Sequence, residues 1–299
     1  MRRVKDWTEL LVFRKLQFLV FLLPRTWCLV LGRFLGTVVF WLDRKHRRIT
    51  LSNLKTAFGE EFSSKALREI SCSSFRHFGA VILDIMKIAH LDPKKRDRLF
   101  VIEGEANLTQ ALQAGKGALL FSGHYGNWEV ATHVLSRMGK LNVIARPLDN
   151  ERLERELTKL RTRLGASVIS KFQATKPILH SLRQQEMVAI LIDLNVLRSQ
   201  GVFVDFFGKK ASTTPSLAAF YLRKQSPLLP VFCYPTSSHR YLIKIGKPLD
   251  LHLQGQKDED LLKITQLCTK IIENQIRMNP VYWFWFHQRW KSRPEGEAA

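Results

Sequence analysis

A histidine and a glutamate stand five positions apart in the segment G-H-Y-G-N-W-E, and together they have the side chains of a general base and its partner. A carboxylate on one imidazole nitrogen fixes the tautomer and stabilises the imidazolium that forms when the other nitrogen takes a proton. Such a pair activates a hydroxyl group. At this offset His124 and Glu129 would not share a face of one continuous helix. We therefore expect Tyr125-Gly126-Asn127 to form a turn, eased by Gly126, that brings the carboxylate onto the ring.

The stretch before His124 must hold this side chain in place. Residues 115–123 read G-K-G-A-L-L-F-S-G, a short apolar run between glycines that is typical of a strand buried on both faces. Reactive groups of open α/β sheets collect at the carboxyl ends of strands, where His124 stands. No G-x-S-x-G motif and no serine or cysteine nucleophile is evident beside it. Direct attack by a substrate hydroxyl, without a covalent intermediate on the protein, is the simplest chemistry. The competing interpretation is a hydrogen-bonded core histidine followed by a glutamate that opens a helix.

Other apolar runs alternate with amphipathic stretches along the chain. Strands are predicted at residues 142–145, 167–170, 187–192, 202–207, 229–234 and 241–245. Helices are predicted at residues 50–90, 128–138, 151–164, 176–185, 215–224 and 258–278. This alternation predicts an α/β fold with a mixed, largely parallel central sheet flanked by helices.

The N-terminal region is apolar between basic flanks. Apolar runs at 16–24, 26–32 and 34–42 are interrupted by Arg25 and Arg33, and Pro24 predicts a helix break. Tryptophans at both ends of this region suit a membrane interface. We interpret residues 1–45 as a membrane-anchoring helical segment, interfacial or spanning, and residues 46–299 as the catalytic domain. The alternative is a soluble hydrophobic hairpin packed on the main domain. No small-residue cleavage site follows, which argues against a removed signal peptide.

The composition is strongly basic, with 47 Lys and Arg against 26 Asp and Glu and a net charge of +21. Such a surface attracts nucleic acid, anionic lipid headgroups, or an acidic protein or phosphate-bearing substrate. No zinc finger, helix-turn-helix or aromatic RNA-binding motif is present, which argues against nucleic acid. The four cysteines form no C-x-x-C pair and have no histidine at zinc-ligand spacing. We interpret them as buried thiols in a reducing compartment and expect no metal site.

Several blocks of the chain resemble one family. The segment F-S-G-H-Y-G-N-W-E resembles the H-x-x-x-x-E motif of the lipid A biosynthesis (lauroyl/myristoyl) acyltransferases, which are related to the lysophospholipid acyltransferases. Further blocks that resemble the family follow in the same order: R-P-L-D-N at 146–150, R-T-R-L-G at 161–165, G-V-F-V-D-F-F-G-K-K-A-S-T-T at 201–214 and W-F-W-F-H-Q-R-W-K-S-R-P at 283–294. With the N-terminal segment and its R-R-I-T-L-S-N-L, the likeness covers nearly the whole chain.

The resemblance implies a reaction and a location. An acyl chain would pass from acyl carrier protein to a hydroxyl of a lipid A precursor, at the cytoplasmic face of a bacterial inner membrane and without a cofactor. His124 would be the general base and Glu129 would orient it. The implied partners are acyl carrier protein, a glycolipid acceptor and the anionic membrane surface, with no nucleic acid. The candidate substrate-binding residues are Arg146, Arg161, Arg163 and Asp193.

Purely structural interpretations of the same residues stay open. The three arginines could be solvated charges, and Asp193 could cap a strand end. The family often has D-x-D where this chain has Asp193-Leu194-Asn195, and proline where it has Asp205. These departures leave the acceptor open, so another glycolipid or a phospholipid is an alternative. A thioesterase or hydrolase would use the same base with water, and a non-catalytic membrane scaffold would not need it.

Overall fold

The elements of the fold come from a computed structural model, which describes residues 2–296. The helices are α1 Arg2–Leu22, α2 Arg25–Leu42, α3 Arg44–Phe58, α4 Ser64–Ala89, α5 Pro93–Asp97, α6 Glu105–Gln113, α7 Trp128–Met138, α8 Glu151–Arg163, α9 Thr175–Arg183, α10 Ser216–Lys224 and α11 Lys257–Met278. The strands are β1 Phe100–Glu103, β2 Ala118–Ser122, β3 Leu141–Ala145, β4 Ala166–Ser170, β5 Met187–Leu191, β6 Val202–Phe206, β7 Lys209–Thr213, β8 Leu228–Pro235 and β9 Tyr241–Ile245. Short 3-10 turns lie at Arg198–Gln200 and Pro280–Tyr282.

A seven-stranded sheet forms the centre, in the order β1-β9-β8-β2-β5-β3-β4. Neighbouring strands are parallel except for β8 and β9. Strand β2 is buried along its whole length, and its neighbours are β5 and β8. Apolar cores lie against the sheet on both sides. The predicted α/β class with a mixed, largely parallel sheet is confirmed. Strands β6 and β7 form a separate antiparallel hairpin.

The predicted elements match the observed ones except at residues 50–90, where α3 and α4 are separate helices, and except where the hydrophobic pattern is weak. Every predicted strand is present, and the observed limits differ from the predicted ones by a few residues at most. Elements α5, β1, α6 and β7 were not predicted. Strand β1 has one buried residue followed by three exposed ones, so it carries no alternation to detect. The N-terminal region breaks at Asp43 as well as at Pro24, because the Asp43 carboxylate caps α3 by accepting from the His46 backbone N–H at 3.0 Å.

Glycines set the contact between α2 and α4. A Cβ at Gly36 would lie 2.2 Å from the Phe75 carbonyl oxygen, and one at Gly79 would lie 2.2 Å from the Gly32 carbonyl oxygen. The two backbones therefore touch, which only glycine permits. The other side of α2 exposes large apolar side chains, including Trp27 and Phe34 at 62% and 63%. By length and composition α2 could cross a membrane.

A side chain at Gly36 should separate these helices. We expect Gly36→Val to lower the free energy of unfolding by about 1–3 kcal/mol, since the Phe75 carbonyl cannot move aside without displacing α4. Denaturant titration in neutral detergent measures the loss. Val30→Leu, on the exposed side of α2, is the matched control and should leave stability unchanged. Equal stability of the two variants would contradict the contact.

Candidate functional site

The segment after β2 is a turn held by two other parts of the chain. The Gly126 N–H donates to the Tyr282 carbonyl and the Asn127 N–H to the Cys233 carbonyl, both at 2.8 Å. Gly126 has φ +63°, and a Cβ there would lie 1.9 Å from the Cys233 carbonyl oxygen. Glycine is thus required both by the backbone angle and by the neighbouring strand. The predicted turn is confirmed, and it places His124 at the carboxyl end of β2.

The imidazole of His124 is held by Asp193. Its Nδ1 lies 2.8 Å from Asp193 Oδ1, and the His124 backbone N–H donates to Asp193 Oδ2 at 2.7 Å. Since an ionised carboxylate only accepts, Nδ1 carries the ring proton and Nε2 is left with its lone pair. Within residues 2–296, Nε2 has no hydrogen-bond partner. The side chain is 20% exposed, so substrate can reach this basic nitrogen.

Asp193 is a buried carboxylate with three N–H donors. Besides the two from His124, the Trp283 indole N–H donates to Oδ2 at 2.7 Å. Burial raises the pKa of Asp193, but the charge and hydrogen bonds of His124 and the charge of His287 outweigh it and hold the pKa well below its usual range. The carboxylate is therefore ionised at neutral pH and stabilises a positive charge on the imidazole.

Glu129 occupies a different position from the one expected. It lies in the first turn of α7 and faces α8, where its carboxylate binds the Arg161 guanidinium at 2.6, 3.0 and 3.1 Å. Among the described residues the imidazole takes its carboxylate from Asp193 and not from Glu129. The predicted contact between Glu129 and the ring is wrong. Asp193 follows β5, which pairs with β2, and a strand neighbour distant in sequence cannot be located by spacing along one segment.

The other predicted site residues are dispersed. Arg161 is partly buried beside Glu129, whereas the Arg163 guanidinium turns to the His90 ring at the end of α4. Arg146 is 65% exposed and lies 3.8 Å from the Asp149 carboxylate. The structure thus brings His124 and Asp193 into one hydrogen-bonded unit and Glu129 and Arg161 into another.

Asn195 forms hydrogen bonds with the C-terminal segment. Its amide donates to Ser292 Oγ at 3.1 Å and accepts from the Ser292 backbone N–H at 3.2 Å. Asp205, the second departure from the family pattern, is exposed and pairs with Lys210 at 3.0 Å. Neither side chain takes part in the hydrogen bonds of His124.

Two aromatic rings lie against the imidazole. Trp128 and Phe284 lie 4.8 and 6.0 Å from it between ring centroids, and Phe78 of α4 contacts both of these rings. These residues and Trp283 were not predicted as site residues. The aromatic C-terminal block was visible in the sequence, but nothing in it indicates which strand end it would cover.

A chain of polar contacts joins this segment to α2. The Asn127 amide donates to the Tyr241 hydroxyl at 2.9 Å, and this hydroxyl donates to Asp84 at 2.7 Å. Asp84 is fully buried and forms a bidentate ion pair with Arg25, with both contacts at 2.7 Å. The first turn of α2 is therefore connected to the turn that carries His124.

The cysteines are free thiols. Cys28, Cys233 and Cys268 are buried as expected, but Cys72 is partly exposed. Within the described residues, no three His, Cys, Asp or Glu side chains are grouped so that they could hold a metal ion.

Comparison with known proteins decides the family. The family described as bacterial lipid A biosynthesis acyltransferase matches residues 1–292. The chain belongs to this family. Its acyltransferase relatives include the lipid A biosynthesis palmitoleoyltransferase of Escherichia coli, 24% identical over 272 residues that cover 90% of this chain and 86% of the relative. The phosphatidylinositol mannoside acyltransferase of Mycobacterium tuberculosis is 25% identical over 228 residues, 74% of this chain and 70% of the relative. This acyltransferase is thus similar to relatives named for different acceptors.

Replacing Asp193 with asparagine should invert the imidazole tautomer. One amide oxygen can still serve the His124 N–H and the Trp283 indole, but the amide N–H₂ then faces Nδ1. Nδ1 becomes an acceptor and the proton moves to Nε2. We expect Asp193→Asn to fold and to lose about 10³–10⁴-fold in acyl transfer. Nitrogen NMR of labelled histidine reads the tautomer directly. An unchanged tautomer or full activity would contradict the assignment.

Stability should fall in acid through His287. Burial holds its pKa at about 4, so the folded chain keeps this histidine neutral while the unfolded chain protonates it below about 6.5. The neutral form therefore stabilises the fold above this window, and the free energy of unfolding declines as the pH falls from about 6.5 to about 4. Asp193 contributes only at lower pH, since its unfolded pKa is about 3.9.

The His287→Gln variant isolates this contribution. Denaturant titration at a series of pH values should show a shallower decline in the variant. The pH dependence of stability that remains in the variant is due in part to His77, because burial also lowers the pKa of this histidine to about 4. An identical slope in both proteins would contradict the assignment to His287.

Proposed function

We propose that the protein transfers a fatty acyl chain from acyl carrier protein to a hydroxyl of a lipid A precursor, with His124 as general base. The observation that carries the proposal is the His124–Asp193 pair with an unpaired, accessible Nε2, in a chain of this family.

The proposed reaction needs no acyl-enzyme. Nε2 of His124 removes the proton from the acceptor hydroxyl as its oxygen attacks the thioester carbonyl. The tetrahedral intermediate expels the thiolate of the carrier, which takes the proton back from the imidazolium. Asp193 stabilises the imidazolium between these steps, and its hydrogen bond to Nδ1 keeps Nε2 directed at the substrate.

Glu129 has a positioning role in this proposal. Its two oxygens and the guanidinium of Arg161 form a bidentate ion pair that holds the arginine side chain in a partly buried position. Arg161 then binds a substrate phosphate or stabilises the negative charge of the intermediate. Arg146 and Arg163 lie outside this pair, so in this proposal they act only in attracting substrate.

The N-terminal segment is the proposed attachment to the inner membrane. Helices α1 and α2 expose large apolar side chains, among them Leu11, Phe18, Trp27, Phe34 and Trp41. The net charge of +21 suits the anionic cytoplasmic leaflet and the acidic acyl carrier protein. Residues 1–45 would be the anchor and residues 46–299 the acyltransferase domain.

A different acceptor is the second candidate. The similarity to phosphatidylinositol mannoside acyltransferases favours it, since these relatives are named for phosphatidylinositol mannoside and not for lipid A. A thioesterase with the same histidine would release free fatty acid without any acceptor. Mass spectrometry of total lipids with and without the gene identifies acyl chain and acceptor together.

The base and its supporting ion pair are tested by labelled acyl transfer. Purified protein with labelled acyl carrier protein and lipid acceptor should form acylated lipid, and His124→Ala and Glu129→Ala should each lose at least about 100-fold. His180→Ala and Glu105→Ala are matched controls, because both side chains are exposed and Glu105, like Glu129, opens a helix. Full activity of His124→Ala would exclude the mechanism. Release of free fatty acid at the transfer rate would instead assign a thioesterase.

A further inference from the structure

A basic cavity lies between α2, α4 and the turn that joins β8 to β9. Its volume is about 270 Å³, and its basic lining comprises Arg25, Arg33, Arg76, His77 and His239, with no carboxylate. We call it the basic cavity. The cavity shares a wall with the site, because His77 Nε2 lies 3.2 Å from the Gly126 carbonyl oxygen and Tyr282 lines the cavity while binding the Gly126 N–H.

The arginines of the basic cavity differ in how their charge is balanced. Arg25 is bound by Asp84 and by the His239 carbonyl oxygen. The guanidinium groups of Arg33 and Arg76 form no hydrogen bond or ion pair with any of residues 2–296. Two guanidinium groups on adjacent helices thus face one cavity without an anion. Guanidinium forks match phosphate oxygens in geometry and charge.

The location of the cavity indicates where such a phosphate would come from. Arg25 and Arg33 belong to α2, which also exposes Trp27, Val30 and Phe34. Side chains of this kind enter the apolar layer of a membrane, and the phosphates of the lipids lie directly outside that layer. If α2 is seated in this way, Arg33 and Arg76 lie at the level of the lipid phosphates.

We propose that the basic cavity binds the phosphate group of a membrane-embedded lipid through Arg33 and Arg76. The cavity is separate from the hydrogen-bonded groups of His124, and it holds a lipid headgroup beside the turn that carries them. This proposal rests on the proposed seating of α2 in the membrane, but it does not depend on the acyl transfer reaction.

The test compares two lipids that differ only in phosphate. Full-length protein is immobilised in neutral maltoside micelles that contain radiolabelled phosphatidic acid or diacylglycerol with the same acyl chains, and bound label is measured. We expect phosphatidic acid to bind at least about tenfold more tightly than diacylglycerol, as charge-assisted hydrogen bonds to two guanidinium groups require. The double variant Arg33→Gln and Arg76→Gln should lose this preference.

Two controls separate a specific site from general charge. Arg183→Gln with Arg223→Gln removes the same charge from exposed arginines of α9 and α10 and should keep the preference. The His124→Ala variant should also keep it, so failure of the acyl transfer mechanism does not affect the result. Equal binding of the two lipids, or equal loss in both double variants, would overturn the proposal. Competition by inorganic phosphate as strong as that by phosphatidic acid would overturn the assignment to a lipid.

Discussion

The buried carboxylate of Asp193 is the constraint on which the candidate site depends. A charge removed from water is tolerated only when donors surround it. Here the donors come from the end of β2 and from Trp283 of the C-terminal segment, while the carboxylate itself follows β5. Three parts of the chain that are far apart in sequence must therefore meet before the ion is stable. The same contacts that balance its charge also set the tautomer of His124.

The sequence predicts the sheet well and the partner of the histidine poorly, for one physical reason. Hydrophobic periodicity is a local property, so buried strands such as β2 and β5 can be recognised from the chain alone. Which carboxylate reaches an imidazole depends on strand order, and adjacent β2 and β5 are separated by more than sixty residues. Glu129 is nearer to His124 along the chain, yet it begins a helix that directs its side chain to Arg161.

Where the sequence did predict local structure, it did so through constraints that act within a few residues. Gly126 is an example, because a turn after a buried strand requires a residue that tolerates positive φ. The close contact of α2 and α4 is the opposite case. Gly32 and Gly36 have a G-x-x-x-G spacing, which is typical of close helix packing, but the sequence does not indicate that Gly79 of α4 lies opposite them.

The ion pair of Arg25 with Asp84 gives the N-terminal segment a structural role in the rest of the fold. A segment that served only as a membrane anchor could be removed without destabilising the domain it anchors. Here removal of α2 would leave Asp84 without its cation, and loss of one partner from a buried pair is strongly destabilising. The Tyr241 hydroxyl that supports Asn127 would lose its order with it. The segment is thus part of the fold that supports the candidate site, and a form of this protein without α2 would be an altered protein, not merely a detached one.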